Sequence, residues 1–253
     1  MTGALRFLEH HAVLYRRTWK GTIFVSFVSP LLFLAAMGLG SLISSGPVRT
    51  VDGVSYLAFL APGLLAATTM QTAYVETTYP IIAKIQWLRT YDGMLATPLT
   101  IGNVVAGEIS WLAFRLTMVA TIFFLVMILF GTIHAALAPL AILVAILTGL
   151  AFGAPILAFT ATQRTDNAFS VIGRFIITPL FLLGGAFFPI HQLPQLLQGI
   201  AWLTPLAHGV ALARGLTTGR ITSSAGVDAL VLLAYATLGI IAASITMRRR
   251  LSK

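Results

Sequence analysis

Three charged side chains stand inside or at the edge of long apolar runs, where a charge is costly: Glu76, Glu108 and Arg115. Glu108 and Arg115 are seven residues apart, so a helix places them on one face, about 10 Å apart along its axis. If the run crosses a membrane, an arginine there costs at least a few kcal/mol unless it is paired or hydrated. We therefore expect Arg115 to pair with Glu108 or Glu76 and to fix helix packing. A role in gating or substrate contact is the alternative.

A polar stretch, PIIAKIQWLRTYDGMLATPLTIGNVVAGE (80–108), separates two apolar runs. Pro80 favours a helix start, and Thr97 followed by Pro98 can cap and begin the next helix. Between them apolar residues recur at helical spacing beside charged and aromatic ones. The pattern predicts a short amphipathic helix, about 80–97, whose mixed surface a protein partner can bind. An interfacial helix that packs only on lipid is the alternative.

The sequence offers no candidate for nucleotide binding, metal binding or nucleophilic catalysis. It has no cysteine, and it lacks the GxxxxGK(S/T), GxGxxG and HExxH patterns and any paired Asp pattern for Mg²⁺. Metal ligands must converge on one centre, whereas the histidines lie mostly far apart: His10, His11, His134, His191 and His208. We therefore expect no metal site, no bound cofactor and no enzymatic activity.

The elements that must position these residues are membrane helices. Only 9% of the residues are charged, against about 25% in a soluble domain, and 58% are hydrophobic. Apolar runs of about 20 residues are long enough to cross a bilayer as helices, and the period-two alternation of a membrane β-barrel is not seen. The predicted fold is an all-α integral membrane domain over residues 21–253. Its six transmembrane helices are expected near 21–44, 56–77, 104–130, 136–161, 170–189 and 227–247.

The distribution of basic residues predicts the orientation of the chain. The net charge is +9, and the lysines and arginines cluster at the ends of apolar runs, as in cytoplasmic loops beside anionic lipids. Both terminal segments are basic, which predicts two cytoplasmic termini and an even number of spans. Arg214 and Arg220, in the predicted outer loop 190–226, are exceptions to the rule. The first 20 residues are too polar for a signal-peptide core, so we expect the first span to be retained.

Residues 1–20 are expected to form an amphipathic helix in the membrane interface. Apolar side chains recur there at spacings of three and four, opposite a mostly basic arc. The apolar face is predicted to consist of Leu5, Leu8, Ala12, Tyr15 and Trp19. Such a helix can act as a plain anchor that sets the topology, or it can also touch a cytoplasmic partner.

Residues 190–219 are apolar but interrupted, which distinguishes them from a span. Pro194 and Pro205 break the stretch into pieces that are too short to cross a bilayer. Short helices at membrane depth must be re-entrant or packed against protein. We expect a re-entrant helical hairpin that dips into the outer leaflet.

Three stretches give the sequence a resemblance to a known family: DGVSYLAFLAPGLLA (52–66), WLRTYDGMLATPLTIGNVVAGE (87–108) and GGAFFPIHQLPQLLQGIAWLTPLAHGVALARG (184–215). Over nearly its whole length the chain resembles the permease subunits of ABC type-2 exporters, most closely the nodulation protein J group, which is associated with lipo-oligosaccharide export. The resemblance implies six spans, an N-terminal connecting helix, a coupling helix in the first inner loop and a re-entrant hairpin before the last span. It also implies a bacterial inner-membrane location, a second permease that is identical or paralogous, and a separate ATPase chain that binds ATP and Mg²⁺.

Carried onto this sequence, the resemblance places the ATPase contact on the coupling helix, with help from the N-terminal helix. The implied contact residues are Lys84, Trp87, Arg89, Thr90, Tyr91, Asp92, Met94, Arg16, Arg17 and Trp19. The translocation pathway would run between the two permeases along the second and fifth spans, with Met70, Gln71, Thr178 and Phe181 as candidates. The implied cargo is an amphiphile (lipo-oligosaccharide, glycolipid or hydrophobic drug). Membrane lipids are further partners, and nucleic acid is not.

Two other classes of function fit the sequence less well. A stand-alone secondary transporter or channel would show inverted repeats and matched broken helices, and the two halves of the sequence show no convincing similarity. A proton relay would need several titratable groups through the bilayer centre, where acids are nearly absent. A membrane-embedded enzyme, such as a lipid-headgroup transferase, would need acidic or histidine side chains clustered at the interface. The sequence therefore favours the permease of an ATP-driven exporter.

Overall fold

The fold is that of a computed structural model, which describes residues 53–252, 50–51 and 31–36 and six positions nearer the N-terminus: Phe7, His11, Tyr15, Arg16, Phe24 and Val28. Within the predicted first span, residues 24, 28 and 31–36 are described, and all of them are helical. Most of the predicted N-terminal helix, including Arg17 and Trp19, lies outside the described residues. The helical class of the chain is confirmed, because most of the described part is helix.

A two-residue hairpin leads into the first long helix. Strands β1 (Thr50–Val51) and β2 (Val54–Ser55) pair antiparallel, with Thr50 opposite Ser55. Helix α1 (Tyr56–Thr77) follows at once, because the Ser55 hydroxyl caps it by accepting from the Ala58 N–H at 3.3 Å. The bounds of α1 match the predicted second span.

Two short helices, α2 (Tyr79–Ile82) and α3 (Thr90–Leu95), connect α1 to the central bundle. The bundle consists of α4 (Ile101–Leu129), α5 (Leu140–Thr162) and the last helix, α10 (Ala225–Leu251). Each of these three helices is long and apolar enough to cross a membrane. Helix α5 lies at the centre, because it packs against α10, α1 and α4.

The segment between α5 and the predicted hairpin is shorter than expected. Helices α6 (Asn167–Ile172) and α7 (Thr178–Leu183) are joined by a π-turn, Gly173–Ile177, into one apolar segment. The predicted fifth span continued to residue 189, but the helix ends at Leu183. The reason is the glycine pair that follows, since Gly185 adopts a positive φ of 81°.

At the position of the predicted hairpin the structure has a sharply bent helix pair. After a single 3₁₀ turn, Ile190–Gln192, helix α8 (Gln195–Leu203) meets α9 (Pro205–Thr218) at a bend of 84°. If this pair is counted as one span, four spans pass the test of length and apolarity among the described residues. Helix α1, with 22 residues, is long enough but is not among the helices that are apolar enough, and the 167–183 segment is short. The count of six spans therefore stays a prediction.

Candidate functional site

Three segments that were predicted to share one side of the membrane meet at one end of the bundle. The backbone carbonyl of Gln163 accepts a hydrogen bond from the Gln86 side chain at 3.1 Å and one from the Arg250 guanidinium at 3.3 Å. These contacts join the connection 78–100, the connection 163–166 and the end of α10. We call this surface the basic end of the bundle.

The connection 78–100 is not the single helix that was predicted over 80–97. Helix α2 runs into a π-turn, Ala83–Trp87, and the backbone then reverses at Arg89, whose φ of 47° and ψ of 34° are left-handed. A left-handed conformation costs a non-glycine residue about 1–2 kcal/mol, so it interrupts the helix before α3 begins. The predicted cap at Thr97 is also wrong. Its hydroxyl bonds back to the Met94 carbonyl, and Thr100 caps α4 instead.

The reversal at Arg89 creates a projecting tip, which we define as Trp87, Leu88 and Arg89. All three side chains are exposed, with Trp87 at 60% and Leu88 at 72%. Two large apolar groups beside a cation at such exposure are unusual for a soluble surface and typical of a protein contact. Leu88, which was not among the predicted contact residues, is the most exposed large apolar side chain of the connection.

Behind the tip, Glu108 on α4 holds the connection to the bundle. Its Oε1 accepts a hydrogen bond from the Lys84 ammonium at 2.6 Å and one from the Tyr91 hydroxyl at 2.6 Å. The Glu108 side chain is only 4% exposed and that of Lys84 16%. Burial raises the pKa of the Tyr91 phenol well above its ordinary value of 10.0, and the Glu108 carboxylate raises it further. Tyr91 therefore stays protonated and remains a donor to Glu108.

His11 joins the same cluster from the N-terminal segment. Its Nε2 lies 2.7 Å from Lys84 Nζ, and its Nδ1 lies 3.3 Å from the Phe7 carbonyl. The ammonium can only donate, so Nε2 accepts and the proton resides on Nδ1, which donates to the carbonyl. We call His11, Lys84, Tyr91 and Glu108 the Glu108 cluster. It joins three parts of the chain through hydrogen bonds that are largely removed from water.

Arg115 is paired with Glu76, one of the two acids expected. Its Nε and Nη2 each lie 2.8 Å from Glu76 Oε1, and its Nη1 donates to the Tyr15 hydroxyl at 3.2 Å. The pair links α1 to α4. Glu108 is not the partner of Arg115, because its Oε1 already accepts hydrogen bonds from Lys84 and Tyr91. A cavity of about 10 Å³ between Glu76 and Glu108 leaves room for at most one water molecule, so no open channel connects them.

The N-terminal segment packs along α4 through residues spaced four apart. Phe7 is buried against Gly107, where any Cβ atom would overlap the Phe7 ring. The rings of His11 and Tyr15 lie 5.1 Å and 5.6 Å from that of Trp111. Among the predicted apolar residues, only Tyr15 is described, and it is half-buried. The buried face therefore includes Phe7 and His11, which the sequence pattern had missed because it assumed a lipid neighbour.

The predicted ATPase contacts divide into exposed and buried groups. Trp87, Arg89 and Asp92 are exposed, as is Arg16. Thr90 and Met94 are half-buried. Tyr91 is fully buried, and Lys84 is bound to Glu108, so neither presents its side chain to a docking protein. Both side chains point to Glu108 within the chain.

The predicted pathway residues also divide. Gln71 on α1 and Thr178 on α7 are exposed, and Phe181 is half-buried with its ring 5.2 Å from that of Phe187. Met70 is fully buried in a cluster with Ile177 and Leu206. Its face of α1 is turned toward the chain's own α7 and α9, so Met70 cannot line a path outside this chain.

At the opposite end, two arginines that broke the charge rule have local partners. The Arg214 guanidinium donates to the Phe59 carbonyl at 3.1 Å and the Gly185 carbonyl at 2.7 Å, and it lies 3.6 Å from the centre of the Phe59 ring. Arg220 donates to the Gly53 carbonyl at 3.3 Å. These bonds account for the two cations without reference to membrane sidedness.

A buried hydrogen bond at that end joins the bent helices to α10. His208 Nδ1 lies 2.6 Å from Asp228 Oδ1, and His208 Nε2 lies 2.8 Å from the Trp202 carbonyl. No local sequence pattern predicts this contact, because the two residues are 20 positions apart on different helices. No group of three or more His, Cys, Asp or Glu that could hold a metal ion occurs among the described residues.

Comparisons with known proteins give matches over most of the chain. A family model described as "ABC-2 type transporter" matches residues 7–217. Nodulation protein J of Rhizobium leguminosarum bv. viciae is 34% identical over 239 residues, which are 93% of this chain and 91% of that protein. Nodulation protein J of Sinorhizobium fredii is 35% identical over 202 residues, covering 78% and 75%. The inner membrane transport permease YadH of Escherichia coli is 25% identical over 198 residues, also covering 78% and 75%.

Proposed function

The chain belongs to the ABC-2 type transporter family, and from this premise we propose that it is the permease subunit of an ATP-driven exporter. The ATP and Mg²⁺ would bind to a separate ATPase chain, since this sequence contains no phosphate-loop pattern. The energy of hydrolysis would then enter through a protein contact that moves the helices as rigid bodies.

The construction of the basic end is the observation that carries the proposal. The tip is exposed and suited to a protein partner, while the residues immediately around it are bonded to the bundle. Thr78 attaches the connection to α1, and the Glu108 cluster attaches it to α4. A push on the tip therefore cannot be absorbed by local bending without breaking an ion pair that is largely excluded from water. This is the mechanical requirement for a coupling element.

We propose further that the chain crosses the membrane six times, with both termini and the basic end in the cytoplasm. Two permeases, identical or paralogous, would face each other across α1 and the α6–α7 segment. The exposed Gln71 and Thr178 support this arrangement, because polar side chains at membrane depth usually face a partner or a water-filled cavity. The bent pair α8–α9 would form a re-entrant hairpin near the outer surface.

The cargo proposed for a pathway between two such permeases is an amphiphile, which can enter sideways from the bilayer. Several curated relatives bear the name nodulation protein J, and that similarity favours a lipo-oligosaccharide or glycolipid over a hydrophobic drug.

Co-purification with the ATPase tests the proposal. The permease is co-expressed with each candidate ABC ATPase of its source organism, and the ATPase recovered on an affinity-tagged permease is measured. We expect the double variant Trp87→Ala/Arg89→Glu to lose the ATPase while the permease retains its melting temperature. Arg164→Glu is the matched control, because Arg164 is an exposed cation at the same end but outside the tip.

Full recovery of the ATPase with the tip variant would show that docking does not use the tip. Loss of the ATPase from the Arg164→Glu control as well would show that the variants act only through the overall charge of the basic end. Stimulation of ATP hydrolysis by the permease, measured across a panel of glycolipids and drugs, would then narrow the cargo.

A further inference from the structure

Among the described residues, the cations buried in or between helices have partners, and one exposed cation within an apolar segment does not. Lys84 is bound by Glu108, Arg115 by Glu76, and Arg214 by two backbone carbonyls. Arg174 is exposed, and no hydrogen bond or ion pair joins it to the described part of the chain. An unpaired arginine within a membrane costs at least a few kcal/mol, so a partner outside this chain is expected.

Arg174 lies well inside its segment rather than at its edge. It is seven residues beyond Asn167, about 10 Å along the helix axis at 1.5 Å per residue. The nearest acid in sequence, Asp166, precedes the segment and is one residue further away along the chain. Arg174 is exposed on the lateral surface of this apolar segment, and in the six-span arrangement proposed above that surface faces lipid tails or cargo.

Arg174 lies within the π-turn Gly173–Ile177 and is exposed on its outer side. The Thr178 hydroxyl donates to the Gly173 carbonyl at 2.8 Å across the turn. Gly173 lies against Tyr74, since a Cβ at this position would come within 2.6 Å of the tyrosine oxygen. The turn is thus anchored to α1 on its inner side, and residues 174–176 are all exposed on its outer side. An extra residue in the turn of this kind commonly occurs at functional sites.

The surface around Arg174 combines hydrogen-bonding groups with apolar ones. Ser170 and Thr178 lie four residues before and after it, on the same exposed face of the segment. Val171 and Phe175 are exposed at 54% and 74% beside them. Both hydroxyls donate to backbone carbonyls of their own segment, so Arg174 is the group on this face that can donate to an anion. The guanidinium matches a phosphate or sulfate group, and the apolar side chains match an acyl chain. A cationic headgroup would be repelled, and the hydroxyls of a neutral sugar would accept hydrogen bonds from Arg174 without neutralising its charge.

We propose that Arg174 is the binding site for the anionic headgroup of an amphiphile that lies along α6–α7. The inference rests on the proposed function in two respects, namely that the α6–α7 segment lies in the membrane and that this amphiphile is the cargo. The same chemistry occurs in an anionic membrane phospholipid, so the experiment includes an arm for each source.

The first test uses the unmodified permease in phosphatidylcholine nanodiscs. Binding is measured for three fluorescent probes with the same decyl chain and with a phosphate, a maltoside or a trimethylammonium headgroup. We expect the decyl phosphate to bind about tenfold more tightly than the other two. Equal affinity for the three headgroups would overturn the proposal, and this comparison does not depend on the folding of any variant.

The second test assigns the preference to Arg174. Arg174→Gln is expected to weaken binding of decyl phosphate about tenfold and to leave the maltoside unchanged, while Arg174→Lys retains most of the preference. Arg164→Gln, which removes an exposed cation outside the segment, is the matched control and should bind as the unmodified protein does. An unchanged phosphate preference in Arg174→Gln would overturn the proposal. So would dissociation of a permease dimer by Arg174→Gln alone, which would identify Arg174 as an interface ion pair.

Competition distinguishes the two sources of the headgroup. Displacement of the probe by a few per cent of phosphatidylglycerol in the nanodisc would identify a membrane lipid as the natural ligand. Resistance to that lipid would identify a separate amphiphile, hence cargo. Because no ATPase is present, a phosphate preference at Arg174 would stand even if the tip variant failed to release the ATPase. Conversely, release of the ATPase without any headgroup preference would leave the proposed function standing and remove only this inference.

Discussion

Replacing Glu108 with glutamine should break the ion pair that attaches the connection 78–100 to α4, while the tip stays exposed at the surface. Glu108 Oε1 accepts two hydrogen bonds of 2.6 Å, and the variant would leave the Lys84 ammonium without its counter-ion. Breaking a buried ion pair by removing one partner typically costs about 3–5 kcal/mol. Because Lys84 is 16% exposed and regains some hydration, we expect the lower figure, about 3 kcal/mol. For a chain of this size that corresponds to a fall in melting temperature of about 6–12 °C.

A double-mutant cycle with Lys84→Met tests whether the effect belongs to the pair. Lys84→Met should also destabilise the permease, and the double variant should be less destabilised than the sum of the two by at least about 1 kcal/mol. Asp92→Asn is the control, since this exposed carboxylate at the same end should change stability by less than about 0.5 kcal/mol. Thermal unfolding of the purified permease measures all four proteins.

The same variants separate stability from docking. If Lys84 only positions the connection, the ATPase should still co-purify with Glu108→Gln, whereas its hydrolysis should no longer respond to cargo. An unchanged melting temperature in Glu108→Gln, or strictly additive effects in the cycle, would refute the assignment of Glu108 as the link between the tip and α4.

Two further predictions concern α4. Arg115→Ala leaves the Glu76 carboxylate, which is 20% exposed, without its partner, so it should destabilise the permease by about 2–3 kcal/mol and change cargo preference little. A stable protein with an altered cargo preference in the ATPase stimulation assay would show instead that the pair serves cargo selection. Arg164→Ala is the control. Gly107→Leu places atoms where the Phe7 ring lies and should cost about 1–3 kcal/mol in thermal unfolding. Combining it with Phe7→Ala should restore part of the loss, and an unchanged melting temperature in Gly107→Leu would show that the N-terminal segment does not pack there.

The parts of the fold that sequence reasoning predicted well are those set by local chemistry. Helix α1 began where Ser55 could cap it and ended with the apolar run at Thr77. The break at Pro205 divides the bent pair, because a proline disfavours the helical conformation in the residue before it, and Thr204 is extended. The requirement that Arg115 find an acid followed from the cost of a charge in apolar surroundings. Each of these depends on neighbours within a few residues or on a general energetic rule.

The parts that were missed depend on which surfaces meet in space. Lys84 and Tyr91 stand among exposed residues in sequence, and only the approach of α4 reveals that Glu108 draws both of them inward. The spacing of Phe7 and His11 is helical, but it does not indicate what buries them. Phe7 packs against Gly107 and His11 packs against Trp111, both on α4, rather than against lipid. The π-turn at Gly173 likewise depends on contact with Tyr74 from another helix. No local pattern contains that information.

Reconstitution into liposomes tests the central claim most directly, which is that this permease is moved from outside through its tip. The permease is reconstituted alone and with its ATPase, and uptake of a labelled amphiphile against its gradient is measured with ATP and with an imposed proton gradient. The account predicts accumulation only when the ATPase, ATP and an intact tip are all present. Accumulation driven by the proton gradient in liposomes that contain this chain alone would contradict it.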